Sequence, residues 1–199
     1  METTPALISL KYSPYFIQTA TIKAVKPLYS NEVFGITWDI DLCLLLEIRK
    51  QNGNTYDYQL NIRGSFKKDS SGRIIGWGSN FKIQKLFNNL SVVGIINGDG
   101  TIEEKSLQQL VGKDIFVLNY ISGTKPDGRI KYQLWDSVAE DRTILQGDFL
   151  KSTDKGYPKN FCPRILLEQY AETSTNKSEE SNSDFKFADS DDDQDELYL

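Results

Sequence analysis

The sequence predicts a mainly β protein with one or two short helices, built as a small antiparallel barrel and ending in a disordered acidic tail. Three observations carry this expectation. Apolar residues recur at every second position over residues 37–48, a second pair of alternating segments lies at 115–121 and 130–138, and beyond Tyr170 the apolar pattern stops. The 199 residues, 39% apolar and 26% charged, suffice for one domain, read as residues 1–170, and a tail, residues 171–199.

In chain order, Trp38, Ile40, Leu42, Leu44, Leu46 and Ile48 alternate with Thr37, Asp39, Asp41, Cys43, Leu45 and Glu47, which predicts a long strand with one buried face. Asn52-Gly53 then marks a turn, and Tyr56, Tyr58, Leu60 and Ile62 alternate with Asp57, Gln59, Asn61 and Arg63, so the two segments form a hairpin. A two-residue Asn52-Gly53 loop would set Leu44 opposite Asn61 and send the two apolar rows to opposite faces. A three-residue loop with a glycine bulge instead pairs Ile48 with Tyr58, Leu46 with Leu60, Leu44 with Ile62 and Arg49 with Asp57, and this register is expected.

Next, Ile83, Leu86, Phe87 and Leu90 fall at helical spacing after the cap candidate Ser79, predicting a helix of about three turns. A second short helix starts at Ser106, where the capping-box form occurs, or by a rival reading within 101–104. Gly112 is a stop signal. The second hairpin turns through residues 123–128, with Ile130, Tyr132 and Leu134 on one face and Arg129, Lys131, Gln133 and Trp135 on the other. Hairpins on either side of a middle helix favour an OB-like antiparallel barrel over a β-sandwich, the main competitor.

Composition removes whole classes of chemistry. The chain contains no histidine, so Ser-His-Asp and Cys-His nucleophile systems, a His general base and His-ligated zinc are absent from it. Cys43 and Cys162 lack CxxC spacing and further soft ligands nearby, and are read as reduced packing residues. No cofactor, metal or catalytic residue is expected, and the chain is read as a non-enzyme. The longest apolar stretch, residues 42–46, is far short of the ~20 residues that cross a bilayer, and residues 1–5 lack the character of a secretory signal. A cytoplasmic protein without a membrane partner is the expectation.

The net charge of −5 conceals a separation: residues 171–199 carry −8 and the first 170 residues +3. On the body, Arg129, Lys131 and Trp135 share a strand face, Arg63 closes the first hairpin, and Lys67, Lys68, Arg73 and Trp77 lie in a glycine-punctuated segment. Unpaired nucleic acid requires this combination, because cations follow the phosphates while aromatic faces stack on the bases. The plainer reading is that Trp135 and Trp77 are partly buried packing residues and the lysines an ordinary solvated face. The tail combines Asp191, Asp192, Asp193, Asp195 and Glu196 with an apolar tip that includes Tyr198 and Leu199, which suits steering charges followed by a docking anchor.

A basic-bodied barrel, a polar linker and the acidic ending of residues 189–199 resemble the single-stranded DNA-binding proteins of bacteria. With this length and the helix before Gly112-Lys113, the resemblance is particularly to those of bacteriophages. The resemblance implies a body that binds unpaired DNA through basic and aromatic side chains in replication, recombination and repair, in a bacterial host cell if phage-encoded. It also implies a tail that competes with DNA and recruits replication or recombination proteins, with Asp191, Asp192, Asp193, Asp195 and Glu196 as competitors and Tyr198 and Leu199 as anchor. The bacterial tail ends in Pro-Phe; this one does not. Cooperative binding or a homo-oligomer would add affinity to a body of charge +3. Two alternatives stand beside it: a Mg²⁺-dependent nuclease using Asp39 and Asp41, with Glu47 on the same face, and a protein-interaction module whose tail mimics DNA.

Overall fold

The computed structural model describes residues 13–78 and 82–165. The first strand, β1 (Tyr15–Val33), runs 19 residues and is followed by β2 (Ile36–Arg49) and β3 (Thr55–Gly64). A small hairpin, β4 (Phe66–Lys68) and β5 (Ile74–Trp77), precedes helices α1 (Lys82–Asn89) and α2 (Glu104–Gln108). The chain closes with β6 (Asp114–Thr124), β7 (Ile130–Ala139) and α3 (Arg142–Asp154). The main sheet is antiparallel and five-stranded, in the order β3-β2-β1-β6-β7, and β4 pairs with β5 alone. The mainly β class is therefore as expected. β3 and β7 approach one another at the sheet's two edges, but no ladder joins them among the described residues.

β1 pairs with β6 from Tyr15 (opposite Tyr120) to Thr21 and with β2 from Ala20 to Val33 (opposite Ile36). At Lys23 the register with β2 shifts, since Ile22 faces Leu46 and Ala24 faces Leu45. A bulge of one residue exchanges the two faces of a strand. Ala20 and Ile22 point into the core before it, and Val25 packs against the core after it. This is why β1 carries no continuous alternation and is not legible in the sequence.

The first predicted hairpin forms with its faces as expected and its register displaced by two. Leu44 faces Leu60, Leu46 faces Tyr58 and Ile48 faces Tyr56, in place of the expected partners. The loop does have three residues and a glycine bulge. Lys50 donates its N–H to the Asn54 carbonyl (2.8 Å) and Gly53 donates to that of Lys50 (3.0 Å), so the loop is Gln51-Asn52-Gly53. Gly53 sits at φ +87°, the left-handed third position of such a loop, and that requirement places the loop one residue earlier than expected.

One core fills the face where Ile40, Leu42, Leu44, Leu46 and Ile48 meet Ile83, Leu86, Phe87 and Leu90, the four helix residues read from spacing. Ser79 lies outside the described residues. Helix α2 takes the rival start: Glu103 is its N-cap, and Ser106 is buried inside it, donating its hydroxyl to the Val93 carbonyl (2.8 Å). A second core lies where Leu118, Tyr120, Trp135 and Ala139 meet Leu145 and Phe149 of α3, a third helix where one or two were expected. Asp141 caps α3 by accepting the N–H groups of Thr143 (2.7 Å) and Ile144 (3.0 Å).

Phe149 is fully buried, with its ring 5.2 to 5.9 Å from those of Tyr15, Tyr120, Trp135 and Phe161. Phe149→Ala is expected to lower unfolding free energy by about 3 to 5 kcal/mol, read as a shifted urea midpoint at unchanged slope.

Candidate nucleic-acid interface

The β4-β5 hairpin displays part of the predicted cationic set. Asp39 of β2 moors it, accepting the Phe66 N–H (2.9 Å) and the Lys68 ammonium (3.0 Å). The turn beyond is held by Asp69, whose carboxylate accepts the Ser71 hydroxyl (2.6 Å) and the N–H groups of Ser71 and Arg73 (both 2.9 Å). The Ser71 hydroxyl, followed by the Arg73 N–H, holds the Asp69 carboxyl below the usual carboxylate range. On this hairpin Lys67 and Arg73 are exposed and meet no carboxylate at ion-pair distance among the described residues.

The second group lies on the β6-β7 hairpin. Arg129 is exposed but tethered, its Nε donating to Asp127 at 2.6 Å. Lys131 is exposed, with no carboxylate partner among the described residues. Strand β6 runs past Tyr15 to Thr124, whereas the β4-β5 hairpin follows Gly64, opposite Ile40 and, through it, Tyr29. The two cationic groups therefore flank opposite ends of β1, as two sites rather than one surface.

Arg63 belongs to a polar knot on the outer face of β1, β2 and β3. The fully buried Asp41 carboxylate accepts from Arg63 Nε (2.9 Å), Asn61 Nδ2 (3.1 Å) and Asn31 Nδ2 (3.0 Å). Asp41 is thus saturated by side chains, Asp39 by the β4-β5 hairpin, and Glu47 pairs with Lys23 at 3.5 Å. No group of three His, Cys, Asp or Glu residues able to hold a metal ion occurs among the described residues. The geometry thus favours structural roles for Asp39 and Asp41. Burial, and then the charge of Asp41, push the neighbouring Cys43 thiol up. Cys162 is exposed and so is not the packing residue expected.

Neither predicted tryptophan is a free stacking platform. Trp135 is 7% exposed, its ring edge-on to Phe149 at 5.3 Å, because α3 covers the sheet face that the strand pattern left open. Trp77 is half-buried, with its ring 5.8 Å from Phe66 and from Phe87. Among the described residues the most exposed rings are Phe34, at 85%, and Tyr157, at 55%, and neither belongs to the set that the sequence predicts. Phe34 and Gly35 link β1 to β2 with positive φ at both positions, +53° and +74°, as in a type I′ turn. The Phe-Gly pair was the signal available for that turn. Asp191, Asp192, Asp193, Asp195, Glu196, Tyr198 and Leu199 lie outside the described residues, as does the boundary near Tyr170.

Arg63→Ala would leave the Asp41 carboxylate buried with amides alone, and a loss of about 3 kcal/mol is expected in chemical denaturation. Trp135→Ala is expected to cost about 3 to 5 kcal/mol, reporting packing rather than base stacking. Comparison with protein-family models and with curated proteins finds no match to this chain.

Proposed function

We propose that this chain is a non-enzymatic protein that binds single-stranded DNA without reading its sequence and protects unpaired strands in replication or recombination. The observation that carries the reading is the trio Lys67, Arg73 and Lys131, exposed on two hairpins and uncompensated by carboxylates among the described residues. Such cations suit a flexible polyanion that runs across the sheet between its two ends, since each phosphate contact releases counterions whatever the base. The strand order β3-β2-β1-β6-β7, with helices α1 and α2 between β3 and β6, supports an OB-like barrel whose β3 and β7 edges come near without a ladder. With Trp135 buried and Trp77 half-buried against other rings, the stacking role falls to displayed rings, chiefly Phe34 on the β1-β2 turn.

The −8 charge of residues 171–199 suits a built-in competitor for the same cations and a recruiting segment for replication or recombination proteins. The protein works in the cytoplasm, and in a bacterial cell if a phage encodes it.

Fluorescence anisotropy with labelled oligo(dT) and duplex DNA at two salt concentrations tests the reading. Binding to the single strand that falls steeply with salt, weakened several-fold by Lys67→Glu or Lys131→Glu, is expected, with no strand cleavage on adding Mg²⁺. Removing residues 171–199 is expected to tighten binding at low salt. Failure of the full-length protein to bind any oligonucleotide at low salt would falsify the proposal.

A further inference from the structure

Beside α1 lies a cleft of about 450 Å³, walled by α1, β7 and the segment that follows α3. Lys82 and Lys85 reach it from the helix, Trp135 and Asp136 from the strand, and Tyr157 and Lys159 from the last segment. Its charge is unbalanced. Lys82 pairs with Asp136, the one carboxylate in the lining among the described residues. Lys85 pairs with Asp148 of α3 at 2.9 Å, and that carboxylate stands outside the lining. Lys159 is exposed and has no carboxylate at ion-pair distance among the described residues. The Lys82–Asp136 pair is solvent-exposed, and pairs of that kind contribute little, about 0 to 1 kcal/mol, so a phosphate can take Lys82 from its partner.

The cleft also offers a flat apolar surface. Trp135 forms part of a wall, and the Lys85 ammonium stands 5.8 Å from its ring centroid, so that face is occupied. The Tyr157 ring, 55% exposed, is open. Ser137 and Ser152 also line the cleft.

We propose that this cleft binds one nucleoside monophosphate unit, with the phosphate between Lys82 and Lys159 and the base against Tyr157. The volume lies in the range of small-ligand sites and accommodates one nucleotide rather than a duplex. The unit comes either from a free nucleotide or from a single strand, and the inference rests on the nucleic-acid reading only for the second source. A strand that Lys131 holds is within reach: Lys131 and Trp135 lie four positions apart on β7, about 13 Å. Between them Gln133 is fixed by accepting from Asn160 Nδ2 at 2.6 Å, which ties the segment carrying Lys159 to the same strand.

The test is a ¹H–¹⁵N NMR titration of the full-length protein with deoxythymidine monophosphate, inorganic phosphate and oligo(dT) in separate series. The nucleotide is expected to shift the amides of Tyr157 and Lys159 and the Trp135 indole N–H. Lys159→Glu and Tyr157→Ala should each weaken it about tenfold or more at an unchanged unfolding midpoint, because both side chains are exposed. Inorganic phosphate alone should bind more weakly; equal affinity would overturn the assignment of the base to Tyr157. Oligo(dT) binding with no cleft shifts at millimolar nucleotide would overturn the cleft and spare the single-strand reading. Nucleotide shifts without oligo(dT) binding would do the reverse.

Discussion

The backbone ladder of β1 is the constraint on which the remaining structure depends. Its first residues, Tyr15 to Thr21, pair with β6 and those from Ala20 to Val33 pair with β2, so one strand belongs to both halves of the sheet. Two cores follow from that arrangement, one facing α1 and one facing α3, and the bulge at Lys23 lets one strand serve the changed face of the sheet along its length. Side chains alone could not hold the halves in register, because hydrophobic contact is non-directional whereas the ladder is fixed residue by residue.

The interface shows how a fold disposes of charge that composition counts only in total. Asp39 and Asp41 look alike in the sequence, two acids on one strand face. One anchors a hairpin and the other is buried in a knot of amides and an arginine. A buried carboxylate is tolerated only when its lone pairs are met by donors, and Asn31, Asn61 and Arg63 provide them from neighbouring strands. Arg63 is consequently engaged through Nε, while Lys67, Arg73 and Lys131 meet no carboxylate among the described residues and remain available to an outside anion.

Legibility followed local regularity. The alternation from Trp38 to Ile48 and the helical spacing from Ile83 to Leu90 were readable because each element buries one face at its own period. Strand β1 was hidden by its bulge. Helix α3 was hidden because its buried residues, Leu145 and Phe149, form a short row beside the exposed Ile144 and Leu150, though Asp141 offered a cap signal. Missing α3 had a direct consequence for the site: without a cover, the face of β7 with Lys131 and Trp135 read as open, and Trp135 as a ring for stacking. The lysines of the cleft are not legible for a similar reason, since Lys82 and Lys159 are far apart in the chain and line one cleft only through tertiary packing.

By itself the sequence determined the β class, the inward faces of β2, β3 and α1, the length of the first hairpin loop and the separation of a basic body from an acidic end. Those depend on period, turn chemistry and charge count, which are local or additive. Only the tertiary structure decided the hairpin's register, the second core, the burial of Trp135 and the meeting of α1 with the segment after α3. Each of these is set by which surfaces face each other across the fold, and a pattern read along one segment does not contain the partner that will cover it.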